Sequence, residues 1–113
     1  MLVKYRSSHN KVAQGLLSLM PKEQGLKHLQ LTMQRYQQDP NWEMYLWKED
    51  EKYIGIIGIS IQKDEFLIQH LAVIPSFRGE GVGKAMISEI QKIYSEHRMT
   101  AIVEIEAFLD AVY

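Results

Sequence analysis

The sequence predicts a single α/β domain, and three observations carry that prediction. Short apolar or β-branched runs are interspersed along the chain with segments whose apolar residues recur at helical spacing. The chain has 113 residues, which is room for one domain with one core. The run Phe66-Leu67-Ile68-Gln69-His70-Leu71-Ala72-Val73 reads as a buried strand, and a glycine-rich connection joins it to an amphipathic helix carrying Met86, Ile87, Ile90, Ile93 and Tyr94.

Leu2 to Arg6 reads as a short strand (β1). Ser8 or Asn10 is placed to cap a helix (α1) carrying Val12, Leu16, Leu17, Leu19 and Met20, which stops at Pro21. A second helix (α2) carries Leu26, Leu29, Met33 and Tyr36 on one stripe and ends before Asp39-Pro40. Trp42 to Trp47 alternates as a strand (β2), with Trp42, Met44 and Leu46 on one side and Glu43, Tyr45 and Trp47 on the other. Glu49 to Lys52 is a polar turn. Tyr53 to Ile61 is a β-branched strand (β3) whose Gly55 and Gly58 permit bending or close packing. Lys63-Asp64 turns into the strand Phe66 to Val73 (β4), and the helix holding Met86 to Tyr94 (α3) follows. Thr100 to Ile105 reads as a last strand (β5), and Phe108 to Tyr113 as the beginning of a helix (α4). The predicted order is β1-α1-α2-β2-β3-β4-α3-β5-α4, with one domain spanning residues 1–113 and no linker, repeat or low-complexity tract.

Composition narrows the function classes. Thirteen basic and fourteen acidic residues leave a net charge of −1, which gives no basis for attraction to nucleic acid or an anionic membrane. There is no cysteine, so disulfides, thiolate metal sites and a cysteine nucleophile are excluded. His9, His28, His70 and His97 lack metal-ligand spacing, so no metal is expected. Trp42, Tyr45 and Trp47 stand without neighbouring basic clusters and are expected to pack on the sheet rather than stack on RNA. Met1 to Arg6 lacks a long apolar segment, so a cytoplasmic location is expected. No apolar run is long enough to span a membrane.

Chemistry concentrates at Arg78-Gly79-Glu80-Gly81-Val82-Gly83, between β4 and α3. Glycines let backbone approach a phosphate, and unpaired N–H groups at a helix start point at it. Arg78 adds a planar donor fork. A Walker loop is excluded because Arg78 stands where its first glycine should be, and Ala85 follows Lys84 in place of Ser or Thr. The G-x-G-x-G spacing also departs from the dinucleotide fingerprint.

The segment Leu71-Ala72-Val73-Ile74-Pro75-Ser76-Phe77-Arg78-Gly79-Glu80-Gly81-Val82-Gly83-Lys84-Ala85-Met86-Ile87 resembles the acetyl-CoA-binding motif of the GNAT family of N-acetyltransferases. That motif runs from a strand through Val-x-Pro and an aromatic to Arg/Gln-x-x-Gly-x-Gly and a helix. The resemblance implies the acyl-CoA N-acyltransferase fold, a mixed sheet that is antiparallel early, with β4 and β5 parallel across α3. It extends over essentially the whole chain. The family usually continues past α4 into two more strands that wall the acceptor site, whereas this chain is short at the C-terminus and ends at Tyr113.

The resemblance further implies acetyl-CoA as cofactor, an amine as acceptor, and a monomer or homodimer. Pantetheine would pair with the backbone of Leu71, Ala72 and Val73, where β4 and β5 splay, and an N–H near Leu71 or Ala72 would face the developing oxyanion. The pyrophosphate would meet Gly79, Gly81, Val82 and Gly83, with charge from Arg78 and Lys84. The α1–α2 segment, Met20 to Gln24, would shape the acceptor site.

The proton-handling candidates are Glu65, His70 and Tyr113. Glu65, Leu67 and Gln69 should share one face of β4; Leu67 and Gln69 would lie nearest the acetyl group and neither is a base. Glu65 lies farther along, beside a turn. His70 has a suitable ordinary pKa but shares parity with Phe66 and Ile68, so a packing or hydrogen-bonding role competes. Tyr113 sits where the family often places an acid in α4. Glu104 and Glu106, on one face of the predicted β5, are placed to attract a cationic amine. Two functions stay open: an N-acetyltransferase, or a CoA-binding module with little chemistry.

Overall fold

The computed structural model describes residues 1–112, of which 110–112 are described in backbone only. Five strands, β1 (Leu2–Lys4), β2 (Trp42–Glu49), β3 (Lys52–Gln62), β4 (Glu65–Val73) and β5 (Arg98–Ala101), form one sheet in that spatial order. The first four pair antiparallel, and β4 and β5 pair parallel. The helices are α1 (Asn10–Leu17), α2 (Leu26–Gln38), α3 (Val82–Ile93) and α4 (Val103–Val112). The predicted order and mixed sheet are therefore found. None of the described helices is long and apolar enough to cross a membrane.

Helices cover both faces of the sheet. A Cβ added at Gly55 would meet Met86 of α3, whereas one added at Gly58 would meet Tyr36 of α2. These residues lie an odd number of positions apart on one strand, so α2 and α3 pack on opposite faces. The continuous apolar run of β3 follows from this, because Ile56, Ile57 and Ile59 are all fully buried.

A bulge in β4 sets the site. Gly58 pairs with His70 but Ile59 pairs with Ile68, which leaves Gln69 as an extra residue. A one-residue slip reverses the faces on either side of it. Phe66 accordingly packs on Tyr94 at the end of α3, whereas His70 packs on Tyr36 of α2. The expected common face of Phe66, Ile68 and His70 is thus corrected: all three are buried, but on two faces.

The C-terminal boundary also differs from expectation. β5 ends at Ala101, and the N–H groups of Ile105 and Glu106 bond the Ile102 carbonyl at 2.9 and 2.8 Å, starting α4 well before Phe108. Glu104 and Glu106 therefore lie in the first turn of a helix, where carboxylates complement its dipole, and not on a strand. The cap of α1 is another local difference. Ser7–His9 forms a short 3₁₀ turn, and Asn10 is the first helical residue, its Oδ1 accepting from Tyr5 and Gln37 at 2.8 and 2.9 Å.

Candidate functional site

β4 and β5 pair only from Glu65↔Arg98 to Ile68↔Ala101. Beyond the bulge β4 continues to Val73 while the segment after β5 turns away into α4, opening a cleft of about 720 Å³. Alternate residues of an antiparallel strand turn their N–H and C=O to the same neighbour. The Ile74 N–H bonds Ile54 of β3 at 2.9 Å, so Leu71 and Val73 turn theirs outward into the cleft. Among the described residues, the Leu71 N–H meets a weak thioether acceptor, Met20 Sδ at 3.4 Å. Arg78 Nε donates to the Val73 carbonyl at 2.9 Å.

The rest of the cleft is built from three segments. The 3₁₀ turn Pro75–Phe77 ends β4, and the loop beyond it reaches α3 through Gly79 and Gly81, both at φ 83°. A Cβ at either glycine would meet nothing within 4 Å. These glycines therefore answer to backbone conformation, and they leave open space over the peptide groups. The first intrahelical bond of α3 runs from Ala85 to Gly81 at 2.9 Å. The Val82 and Gly83 N–H groups ahead of it have no helical partner. Opposite stand Leu19, Met20 and Pro21 of the α1–α2 segment, and Glu104, Ile105 and Phe108 of α4.

All nine residues expected at the cofactor, Leu71, Ala72, Val73, Arg78, Gly79, Gly81, Val82, Gly83 and Lys84, line this one cleft. The proton-handling candidates are scattered. Glu65 lies at the far end of β4, bonded to Arg98 at 2.6 Å. His70 is 2% exposed and faces away from the cleft, toward α2. Tyr113 lies outside the described residues. Of the two glutamates of α4, Glu104 lines the cleft and Glu106 does not.

The comparisons with known proteins agree with this architecture. Residues 11–112 match the family described as the acetyltransferase (GNAT) family. The chain belongs to the GNAT family. A Bacillus methanolicus protein described as an uncharacterized N-acetyltransferase in the lysA 3′ region is 39% identical over 111 residues, 97% of this chain and 92% of that one. Aminoglycoside N-acetyltransferase AAC(6′)-Iy, solved with a CoA bisubstrate analogue, is similar at a TM-score of 0.80 and 18% identity, over 98% of this chain and 84% of its own. A ribosomal-protein-alanine N-acetyltransferase from Brucella melitensis is similar at 0.76 and 15% identity, over 100% and 86%. At such identities the structural likeness is one of fold.

Two features of this GNAT chain escape a reading of its sequence. A Cβ at Gly83 would stand 3.1 Å from the Phe108 ring tip, so α4 packs closely on the first turn of α3 and favours a small residue there independently of any ligand. Glu23, 3% exposed, holds His70 Nε2 at 2.5 Å from the turn that precedes α2. No local spacing announces either contact.

Burial lowers the His70 pKa to about 4, although the Glu23 hydrogen bond pulls it upward. The folded value lies below the unfolded one of about 6.5, so between these limits only the unfolded chain takes up the proton. The His70 contribution to stability is complete above pH 6.5 and is lost toward pH 4, at up to about 1.4 kcal/mol per pH unit. In an NMR titration the His70 ring should stay neutral down to about pH 4, whereas titration near 6.5 would contradict its burial.

Proposed function

We propose that the cleft binds acetyl-CoA and that the protein transfers the acetyl group to an amine of a small molecule or protein. The observation that carries this reading is the outward-facing edge at Leu71 and Val73, which runs directly into the Gly81–α3 turn. An extended amide-bearing arm can add to the edge like a strand, and its phosphate end then reaches the Val82 and Gly83 N–H groups. Acetyl-CoA supplies an acetyl group activated as a thioester. The Leu71 N–H is the donor available to a carbonyl oxygen gaining negative charge, since a thioether is easily displaced as acceptor. Arg78 bonds the cleft's backbone through Nε, which leaves its terminal nitrogens to face phosphate oxygens.

At the acceptor end stand Glu104 and Lys22. Lys22 is half-buried, and burial holds its pKa below the usual lysine value while Glu23 and Glu104 oppose that shift. Glu104 is placed to attract a cationic amine. Because Glu104 is exposed, Glu104→Gln is expected to raise the amine KM only about 2- to 5-fold, and less at high salt.

The segments Met20-Pro21-Lys22-Glu23 and Leu46 to Glu51 resemble RibT, the acetyltransferase-like protein encoded with riboflavin-biosynthesis enzymes in bacilli. That resemblance brings flavin-pathway amines into the set of acceptors. A second reading, a CoA-binding module with little chemistry, draws support from the positions of Glu65 and His70, both engaged away from the cleft. Tyr113 remains a proposed acid. A thiol-release assay with acetyl-CoA and a panel of amines, flavin-pathway amines included, separates the readings. Turnover with any amine supports the transferase, and CoA binding without turnover supports the module.

A further inference from the structure

Behind the cleft, on the sheet face covered by α2, lies a chain of polar side chains that the proposed chemistry does not use. Glu23 closes the short turn Pro21–Glu23, and its Oε1 lies 2.5 Å from His70 Nε2. Its Oε2 accepts from Thr32 of α2 at 2.8 Å and lies 3.3 Å from Nε2 of the exposed His28. His70 Nδ1 lies 2.5 Å from the Tyr36 hydroxyl. Glu23, His70 and Tyr36 are 3%, 2% and 7% exposed. A neutral imidazole has one N–H, which the carboxylate takes, so Nδ1 accepts from the Tyr36 O–H. Each bond then has one direction.

The position of this chain in the fold is informative. His70 pairs with Gly58 immediately after the bulge at Gln69, where β4 parts from β5. Gly58 carries no side chain, and a Cβ there would overlap the Tyr36 hydroxyl, so the phenol occupies that space. Met20 and Leu71, near neighbours of the tied Glu23 and His70, touch each other in the cleft wall, the Leu71 N–H donating to Met20 Sδ at 3.4 Å. A well-packed apolar group would fill this space without desolvating a carboxylate and an imidazole. What directional bonds add is a single fixed arrangement.

We infer that Glu23, His70 and Tyr36 are positioning residues, whose hydrogen-bond chain holds the β4 bulge and the Met20–Pro21 wall in register and so aims the Leu71 N–H into the cleft. None of the three touches the reacting atoms. The inference rests on the proposed placement of the cofactor at Leu71.

The test uses ¹⁵N-labelled protein, with CoA as the probe and acetyl-CoA for turnover. In the wild type, CoA should shift the Leu71 amide resonance. In Glu23→Ala that resonance should already be displaced without ligand. Turnover should fall at least about 10-fold with the KM for acetyl-CoA within about 3-fold, because a positioning group acts on the reacting geometry more than on binding. Glu23→Gln keeps the shape and an acceptor oxygen, and should recover turnover to within about 3-fold of wild type. Tyr36→Phe keeps the ring and serves should Glu23→Ala not fold; it should displace the Leu71 amide and lower turnover about 3-fold or more. A folded Glu23→Ala or Tyr36→Phe with an unmoved Leu71 amide and wild-type turnover overturns the inference alone. A wild-type Leu71 amide indifferent to saturating CoA overturns the cofactor placement, and the inference falls with it.

Discussion

Gly81→Val should abolish CoA binding while leaving a folded protein, with affinity reduced at least about 100-fold, or about 2.8 kcal/mol. Two effects act together. Gly81 sits at φ 83°, where a residue with a Cβ costs about 1–2 kcal/mol and a β-branched one is a strained outlier. The strain alone should lower Tm by roughly 5–15 °C, since 1 kcal/mol moves a domain of this size about 4–8 °C. Nothing lies within 4 Å of the added Cβ, so the side chain projects into the space a phosphate would need. Charge-assisted hydrogen bonds there, worth about 1.5–3 kcal/mol each, would be lost. Gly15→Ala is the control. Its Cβ meets nothing within 4 Å in the middle of α1, so it should stabilise by about 0.5–1 kcal/mol and leave affinity unchanged. Isothermal titration of both variants checks the pair, and wild-type affinity in Gly81→Val would make the loop a mere connector.

Gly58→Ala should be the most destabilising single-methyl change in the sheet. The new Cβ would overlap the Tyr36 hydroxyl and crowd its ring, both held in the buried core, so the phenol must move. Overpacking costs about 1–3 kcal/mol. Displacing the hydroxyl also orphans His70 Nδ1, which adds about 1–3 kcal/mol for an unsatisfied buried group. A loss of about 3 kcal/mol or more is expected in urea denaturation at pH 7. Tyr36→Phe in the Gly58→Ala background should recover part of it, because it removes the clashing oxygen. A Gly58→Ala protein of wild-type stability would mean that Tyr36 does not occupy that space.

The stretch from Leu71 to Lys84 is legible in the sequence because its determinants are local. An apolar run, glycines at φ > 0 and a helical period need no distant residue to be read. The boundary between β5 and α4 is different. Val103-Glu104-Ile105-Glu106 alternates like a strand, but Ile105, Phe108 and Leu109 also fit a helix, and what decides is the divergence of β4 from β5. The faces of β4 were unreadable for a related reason, since nothing at Gln69 marks a bulge and one extra residue moves His70 to the α2 side. The Glu23–His70–Tyr36 chain joins residues 47 and 34 positions apart, so only the tertiary fold brings it together.

The claim that this cleft holds the cofactor is tested most directly by mapping amide shifts on titration with CoA. The shifts should centre on Leu71, Val73 and the Arg78–Lys84 loop, reach Phe108 of α4, and saturate together with a gain of about 2.7 kcal/mol in stability at 100-fold excess over Kd. The shallow groove beside Trp47 and Ile93, on the far side of the sheet from α2, should stay silent. Shifts clustered at that groove, or none at the Arg78–Lys84 loop with millimolar CoA, would contradict the account.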